Sequence, residues 1–328
     1  MKRKGMMIVA FSCLGVLVLT LLIYYFGAFY PKFNAHARIK EFEIPGLNET
    51  FVPQGMDYHA EDDIFLVSGY MSDGSASRIY VVDAKTGTAQ KYITLKSGEN
   101  DYVGHAGGVA TDGEKVWVVG DKKLNTFLYS DLKDASNSAS VSIKSEVETG
   151  NGCDFVYIYN NQLIVGEFFR EGAYDTPETH HISVSEKEKT YALGYIYDID
   201  HARESGVSAE LKAVISFPNQ AQGMVITKNS EGKEVVVIST SYSIPSSKIM
   251  VYENPLAGAT TKKVTLNGKD VPLYELTSNN LIESFKAPSM SEEMAVKDGR
   301  VFILFESACK KYRLVNRTRT RNVYSIEI

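Results

Sequence analysis

One short motif recurs five times along the chain: Pro53-Gln54-Gly55-Met56, His105-Ala106-Gly107-Gly108-Val109, Gly152-Cys153-Asp154-Phe155, Ala221-Gln222-Gly223-Met224 and Ser291-Glu292-Glu293-Met294. Each copy leads through a polar or Gly-containing turn into an apolar β-type run, at residues 63–70, 115–121, 162–168, 234–240 and 300–307. Units of short strands recurring at intervals of roughly 46 to 70 residues are the signature of a β-propeller. The expected fold is all-β, a five-bladed β-propeller. Six or seven blades remain open if the longest intervals hide a degenerate unit.

A second column repeats in register with the first. Arg78-Ile79-Tyr80-Val81-Val82-Asp83 has counterparts in Gly194-Tyr195-Ile196-Tyr197-Asp198, Lys248-Ile249-Met250-Val251-Tyr252-Glu253 and Asn322-Val323-Tyr324-Ser325-Ile326-Glu327. Val, Ile, Tyr and Phe between Gly, Asp and Asn turns are the expected strand pattern. Counted this way, the last blade runs out of chain after its third strand. Residues 37–44 read as a strand closed by Pro45-Gly46 and can supply the missing outer one, which leaves no unpaired edge. The domain plan is then 1–30 as basic flank and transmembrane helix, 31–36 as a short tether, and 37–328 as the propeller. A closing strand that starts on the face opposite the ligand entry would point that entry away from the bilayer.

Lys2, Arg3 and Lys4 precede an uncharged run from Gly5 to Tyr30. A helix rising 1.5 Å per residue covers a bilayer core of about 30 Å with such a run. Flanking positive charge keeps the N-terminus cytoplasmic, and Tyr24, Tyr25 and Tyr30 suit the far interface, so the expected product is a single-pass protein with an extracellular C-terminal domain. A cleaved signal peptide is disfavoured by the length of the run and its aromatic end. Beyond it, losing the three cations takes the formal charge from −5 to −8, unlike a nucleic-acid-binding surface. The basic run Lys310, Lys311, Arg313, Arg317, Arg319 and Arg321 suits a solvated strand edge, or contact with an anionic polymer or lipid headgroup. Cys153 and Cys309 are either two buried thiols or one disulfide.

Propeller geometry brings the starts of the inner strands and the ends of the second strands to one face. That places Gln54, His105, Asn151, Asp154, Gln222, Glu292 and Glu293 beside Tyr70, Asp121, Glu167, Tyr242, Glu306 and Ser307. A ring rich in carboxylates, with one His and two Gln, suits a polar ligand or a hard cation. Asn151, Asp154 and Glu293 are a candidate Ca²⁺ set, and His105 between glycines is a candidate base. The alternative is a water-filled channel whose polar groups only satisfy strand ends. The insertion 170–190 follows a second strand and should overhang this face, where His180 and His181 could join Glu167 or His105. The interval 254–287 should cross between blades without a site.

The runs Thr111-Asp112-Gly113-Glu114-Lys115-Val116-Trp117-Val118-Val119 and Ile79-Tyr80-Val81-Val82-Asp83-Ala84-Lys85-Thr86-Gly87 resemble the broad group of secreted bacterial propellers with lactonase-like, YVTN and NHL repeats. That resemblance implies a propeller, and for the lactonase-like members a divalent cation held by Glu, Asn and Asp. Three functions follow as expectations. The first is a membrane-anchored extracellular module binding a carbohydrate, peptide or protein. The second is a metal-dependent hydrolase of lactone, ester or glycoside type using the channel carboxylates and His105. The third is a structural part of a cell-envelope complex. No nucleophile elbow, phosphate loop or zinc spacing is present in the sequence.

Overall fold

The computed structural model describes residues 12–20 and 30–328, with 187 and 317 left out. Five antiparallel sheets stand around an axis. Their inner strands are Phe51–His59, Gly108–Thr111, Phe155–Tyr159, Ala221–Lys228 and Ser291–Lys297, and neighbours in this order pack together until the last meets the first. The ring is a five-bladed propeller. The second strands Ile64–Met71, Lys115–Gly120, Gln162–Gly166, Glu234–Thr240 and Arg300–Phe305 are almost wholly buried. Both faces of each blade are covered by its neighbours, so these strands read as continuous apolar runs rather than alternating ones.

Apolar wedges between blades hold the ring. Ile79, Val109 and Phe127 fill the space between the first and second blades. Trp117, Leu163 and Leu193 lie between the second and third, and Phe155, Phe217 and Met224 between the third and fourth. Strand reversals use turns whose central residues both take positive φ: Asp121-Lys122, Asn160-Asn161 and Asp298-Gly299. Such turns match the twist of the strands they join. Cys153 and Cys309 are buried free thiols, not a disulfide.

The fifth blade closes as expected. Ile39–Glu43 runs antiparallel to Asn322–Ile326, with Ile39 opposite Ser325 and Glu43 opposite Asn322. Two features were not expected. Between their third and outer strands, the second and fourth blades step back and add strands to the blade before. Ser140–Ile143 joins Ala89–Ser97 in parallel, and the hairpin Lys263–Leu266 with Lys269–Glu275 joins Ala213–Phe217. The interval 254–287 thus crosses between blades and also widens the third. The basic run lies in the connection after Arg300–Phe305, not on a strand edge, and Arg317 is outside the described residues.

The approach of the chain to the propeller has a feature that the segment alone does not announce. The closing strand does begin on the face opposite the entry. The preceding residues, however, descend from the entry side along the groove between the fourth and fifth blades. The Tyr30 hydroxyl lies 3.4 Å from Ser246 Oγ, in the entry-face connection of blade four. The helix Pro31–Ala35 follows, burying Phe33 against Tyr324, and His36 bonds Glu327 O at the far end of the fifth blade. Most of the expected membrane helix falls on residues 1–11 and 21–29, outside those described. Residues 12–20 are helical with exposed Leu14, Val16, Leu17, Val18 and Leu19. Among the described residues no helix is long and apolar enough to cross a membrane.

The glycine of the motif marks where adjacent inner strands touch. A Cβ on Gly55 would stand 2.7 Å from Val109 N, and one on Gly223 would stand 2.7 Å from Glu293 Cα. Backbone cannot yield as a side chain would. Gly223→Ala should therefore lower stability by about 1–3 kcal/mol. Gly258→Ala, which meets nothing within 4 Å, should leave the melting temperature unchanged in the same assay.

Candidate functional site

Three inner strands carry a β-bulge at the motif. Pairing shifts between Pro53 and Gly55, between Ala221 and Gly223, and between Ser291 and Met294. A bulge leaves an unpaired residue and re-aims its side chain; here the extra residues are Gln54, Gln222 and the pair Glu292-Glu293. The bulges sit at the top of the channel, under a cavity of about 990 Å³. Gln54, Tyr70, His105, Asn151, Asp154, Glu167, Gln222, Tyr242, Glu292 and Glu306 all line that cavity. Glu293 does not.

Glu293 lies below the floor and holds blades together. Its Oε2 accepts from the backbone N–H groups of Met56 and Val109, and its Oε1 from that of Val156, each at 2.9 Å. Those amides belong to the first, second and third blades. Burial pushes the Glu293 pKa well up, while the three N–H donors pull it back toward the anion. With both oxygens so engaged, Glu293 is not available beside Asn151 and Asp154, and the expected Ca²⁺ trio does not assemble. Asn151 is also spent: its Nδ2 donates to Val165 O and Leu193 O, and its Oδ1 accepts from Thr149. Asp154 Oδ2 accepts from Phe168 N at 2.7 Å.

Glu292 takes the other direction. It is buried and lines the cavity beside Glu306, which is half-buried there. Desolvation, and then the charge of Glu306, raises Glu292 well above the ordinary range. Desolvation likewise raises Glu306 to about 8, against hydrogen bonds from Gln54 and Glu292 and the charge of Lys311. The two carboxyls share protons as a unit. Glu292 Oε1 is buried without a hydrogen-bond partner.

A relay leads outward from this pair. Gln54 Nε2 donates to Glu306 Oε2 at 2.8 Å and to Pro53 O at 2.8 Å. Its Oε1 must therefore accept, and its partner is His105 Nε2. That assigns the histidine proton to Nε2 and leaves Nδ1 as the basic nitrogen. His105 packs on Tyr70 at 4.7 Å between ring centroids. It is open to cavity water yet set deep between blades, and desolvation lowers its pKa. Tyr70 in turn accepts from Lys311 Nζ at 2.7 Å.

The overhanging segment 170–190 covers the opposite wall as expected, through Ala173, Tyr174, Asp175, Thr176 and Pro177. It is fastened by His180. The ring Nδ1 lies 2.8 Å from Glu167 Oε1 and Nε2 lies 3.2 Å from the Tyr195 hydroxyl, all buried. Glu167 also accepts from Gly152 N and Leu193 N. His181 turns instead to Thr176 and Tyr191, and neither histidine meets His105. Phe168, Tyr174 and Tyr242 pack together on the lining, with Arg170 stacked 3.6 Å over the Tyr242 ring. Among the described residues no three His, Cys, Asp or Glu side chains converge as metal ligands.

The carboxyl pair makes a stability prediction with a definite sign. Glu306 binds its proton more tightly folded, at about 8, than at its ordinary 4.5. Its contribution is complete below about 4.5 and is lost as pH rises through about 8. Urea melts from pH 5 to 9 should show the wild type losing stability along this limb and Glu306→Gln losing markedly less. Parallel curves would contradict a proton held at Glu306.

No family model matches the chain, and no curated protein does. Solved structures similar in overall arrangement include a glutaminyl cyclase from Myxococcus xanthus, 11% identical over 88% of this chain and 95% of that one, with a TM-score of 0.45. An exo-β-1,3-galactanase from Phanerochaete chrysosporium is 12% identical over 81% of this chain and 59% of its own, at 0.46. BamB from Moraxella catarrhalis is 10% identical over 84% and 85%, at 0.33. The propeller architecture rests on the strand pairing itself, and no specific family is identified.

Proposed function

We propose that the chain is a membrane-anchored, extracellular propeller enzyme whose cavity binds a small polar substrate and hydrolyses it by acid–base catalysis. One observation carries this reading: Glu292 and Glu306 line the cavity side by side, and Gln54 bridges Glu306 to His105 on the same wall. Groups whose surroundings push their proton affinities apart are the usual basis for assigning an acid and a base. Glu293 already ties the blades, so the ring does not need two further carboxyls at this level. Burying one is costly, and an apolar pair would pack there without that cost.

In this reading His105 Nδ1 takes a proton from an attacking water while the carboxyl pair gives one to the leaving oxygen. His105 then returns its proton to the pair, and the cycle closes without a metal. The substrate class is an ester, lactone or glycoside. Asp121, Glu148, Asp154, Glu167 and Asp175 on the lining, against Lys122, make the cavity electronegative and favour neutral or cationic molecules. Phe168, Tyr174 and Tyr242 offer faces for a ring or an apolar group. The anchor reading is supported by the uncharged run after Lys2, Arg3 and Lys4.

The test is turnover of a panel of esters, lactones and glycosides by the full chain in detergent, beside Glu306→Gln and His105→Ala. A substrate cleaved by the wild type and not by either variant supports the reading. Equal rates in all three would overturn it.

A further inference from the structure

We infer that the entry face of the propeller lies against the bilayer that anchors it, and that the cavity mouth is docked on the lipid surface by an apolar rim and one basic connection. The inference rests on the anchor reading above, and two independent observations carry it.

The first is the path of the chain. At Tyr30 the chain lies beside Ser246 on the entry side, and from there it descends to His36 and Glu327 on the far side. The helix Pro31–Ala35 packs along Leu281–Ala287, and His36 stacks on Phe285 at 4.3 Å and lies 3.4 Å from Glu283. Residues 30–36 are thus built into the groove rather than acting as a loose leash. Tyr30 is thereby fixed on the side of the cavity.

The second is the distribution of exposed apolar side chains. Outside the N-terminal helix the large exposed ones among the described residues are Ile39, Val103, Leu128, Tyr174, Ile244, Ile282, Leu314 and Val315. Val103, Tyr174, Ile244, Leu314 and Val315 all belong to connections on the entry face, and together they go round the mouth. Leu314 and Val315 are the most exposed, at 83% and 61%. They follow Lys310, Lys311 and Arg313 in one protruding connection, and Lys310 and Arg313 make no ion pair among the described residues. Apolar tips beside unpaired cations suit a headgroup boundary, where anionic lipid attracts the cations and the apolar groups enter the acyl edge. An acidic polymer would explain the cations and leave Leu314 and Val315 without a partner. The consequence is that the cavity receives molecules from the membrane surface.

The single tryptophan, Trp117, is buried, so an added one reports its own surroundings. The full chain carrying Leu314→Trp or Lys85→Trp, the latter in an exposed turn on the far face, is reconstituted into phosphatidylglycerol–phosphatidylethanolamine vesicles containing lipid brominated near the headgroup. The expected result is a blue-shifted Leu314→Trp emission that loses most of its intensity to the bromines, and a Lys85→Trp emission that does not change. Quenching at Lys85→Trp alone, or at neither, overturns the inference. Flotation separates the two readings. A chain that floats with the vesicles but leaves Leu314→Trp unquenched refutes only the docked face. A chain that does not float refutes the anchor and this inference together.

Discussion

Glu293→Ala should cost the propeller a large part of its stability. The substitution removes the acceptor for Met56, Val109 and Val156 N–H, and with it the link between three blades and the fifth. A buried donor left unpaired costs about 1–3 kcal/mol. Water entering the space and relief of carboxyl burial offset part of that, so a net loss of roughly 3 kcal/mol or more is expected, against a total of about 5–15 for a domain. Glu293→Gln keeps one oxygen but turns an amide NH₂ toward an N–H donor, so it should fall between wild type and Ala. Urea midpoints decide the matter. A Glu293→Ala midpoint unchanged from wild type would mean the three amides find other partners.

Glu306→Gln should do the reverse, sparing the fold while removing turnover. The amide keeps an oxygen for Gln54 Nε2 and for the Glu292 proton, and it carries no charge to desolvate. Loss of a positioned acid–base group lowers rates by about 10²–10⁴-fold. The fall should appear in kcat rather than KM, since the cavity walls are untouched. Wild-type kcat/KM should decline as pH rises through about 8, as Glu306 gives up its proton, and that limb should be missing from any residual activity of the variant. A normal rate, or an unchanged high-pH limb, would reduce the pair to a structural feature.

Much of this was legible because radial repeats write the same constraint several times. The recurring motif located every inner strand, and residues 37–44 stood out as the one strand without a blade. The entry-face residues followed from strand direction alone, and all except Glu293 and Ser307 line the cavity. What pattern could not convey was the bulge. Simple alternation treats Glu292 and Glu293 as neighbours in one ring, whereas the shift between Ser291 and Met294 sends one to Glu306 and the other to three backbone amides. The glycines of the motif were equally ambiguous. Those flanking His105 read as exposing it to a ligand, whereas a Cβ on Gly107 would stand 2.7 Å from Asp154 O and one on Gly108 2.8 Å from Val156 N, where adjacent blades touch. Ser140–Ile143 and the hairpin Lys263–Leu266 with Lys269–Glu275 pair with distant strands, and no local signal announces that. The path of residues 30–36 depends on Phe33 and His36 finding a groove formed by blades four and five, a tertiary fact absent from the segment itself.

The central claim is that the Glu292–Glu306 pair holds a proton at neutral pH, and infrared titration reads it directly. Difference spectra of wild type against Glu306→Gln should show a protonated carboxyl C=O stretch that persists through pH 7 and fades near pH 8. A spectrum with only carboxylate bands for this pair above pH 6 would contradict the account and leave the cavity without its acid.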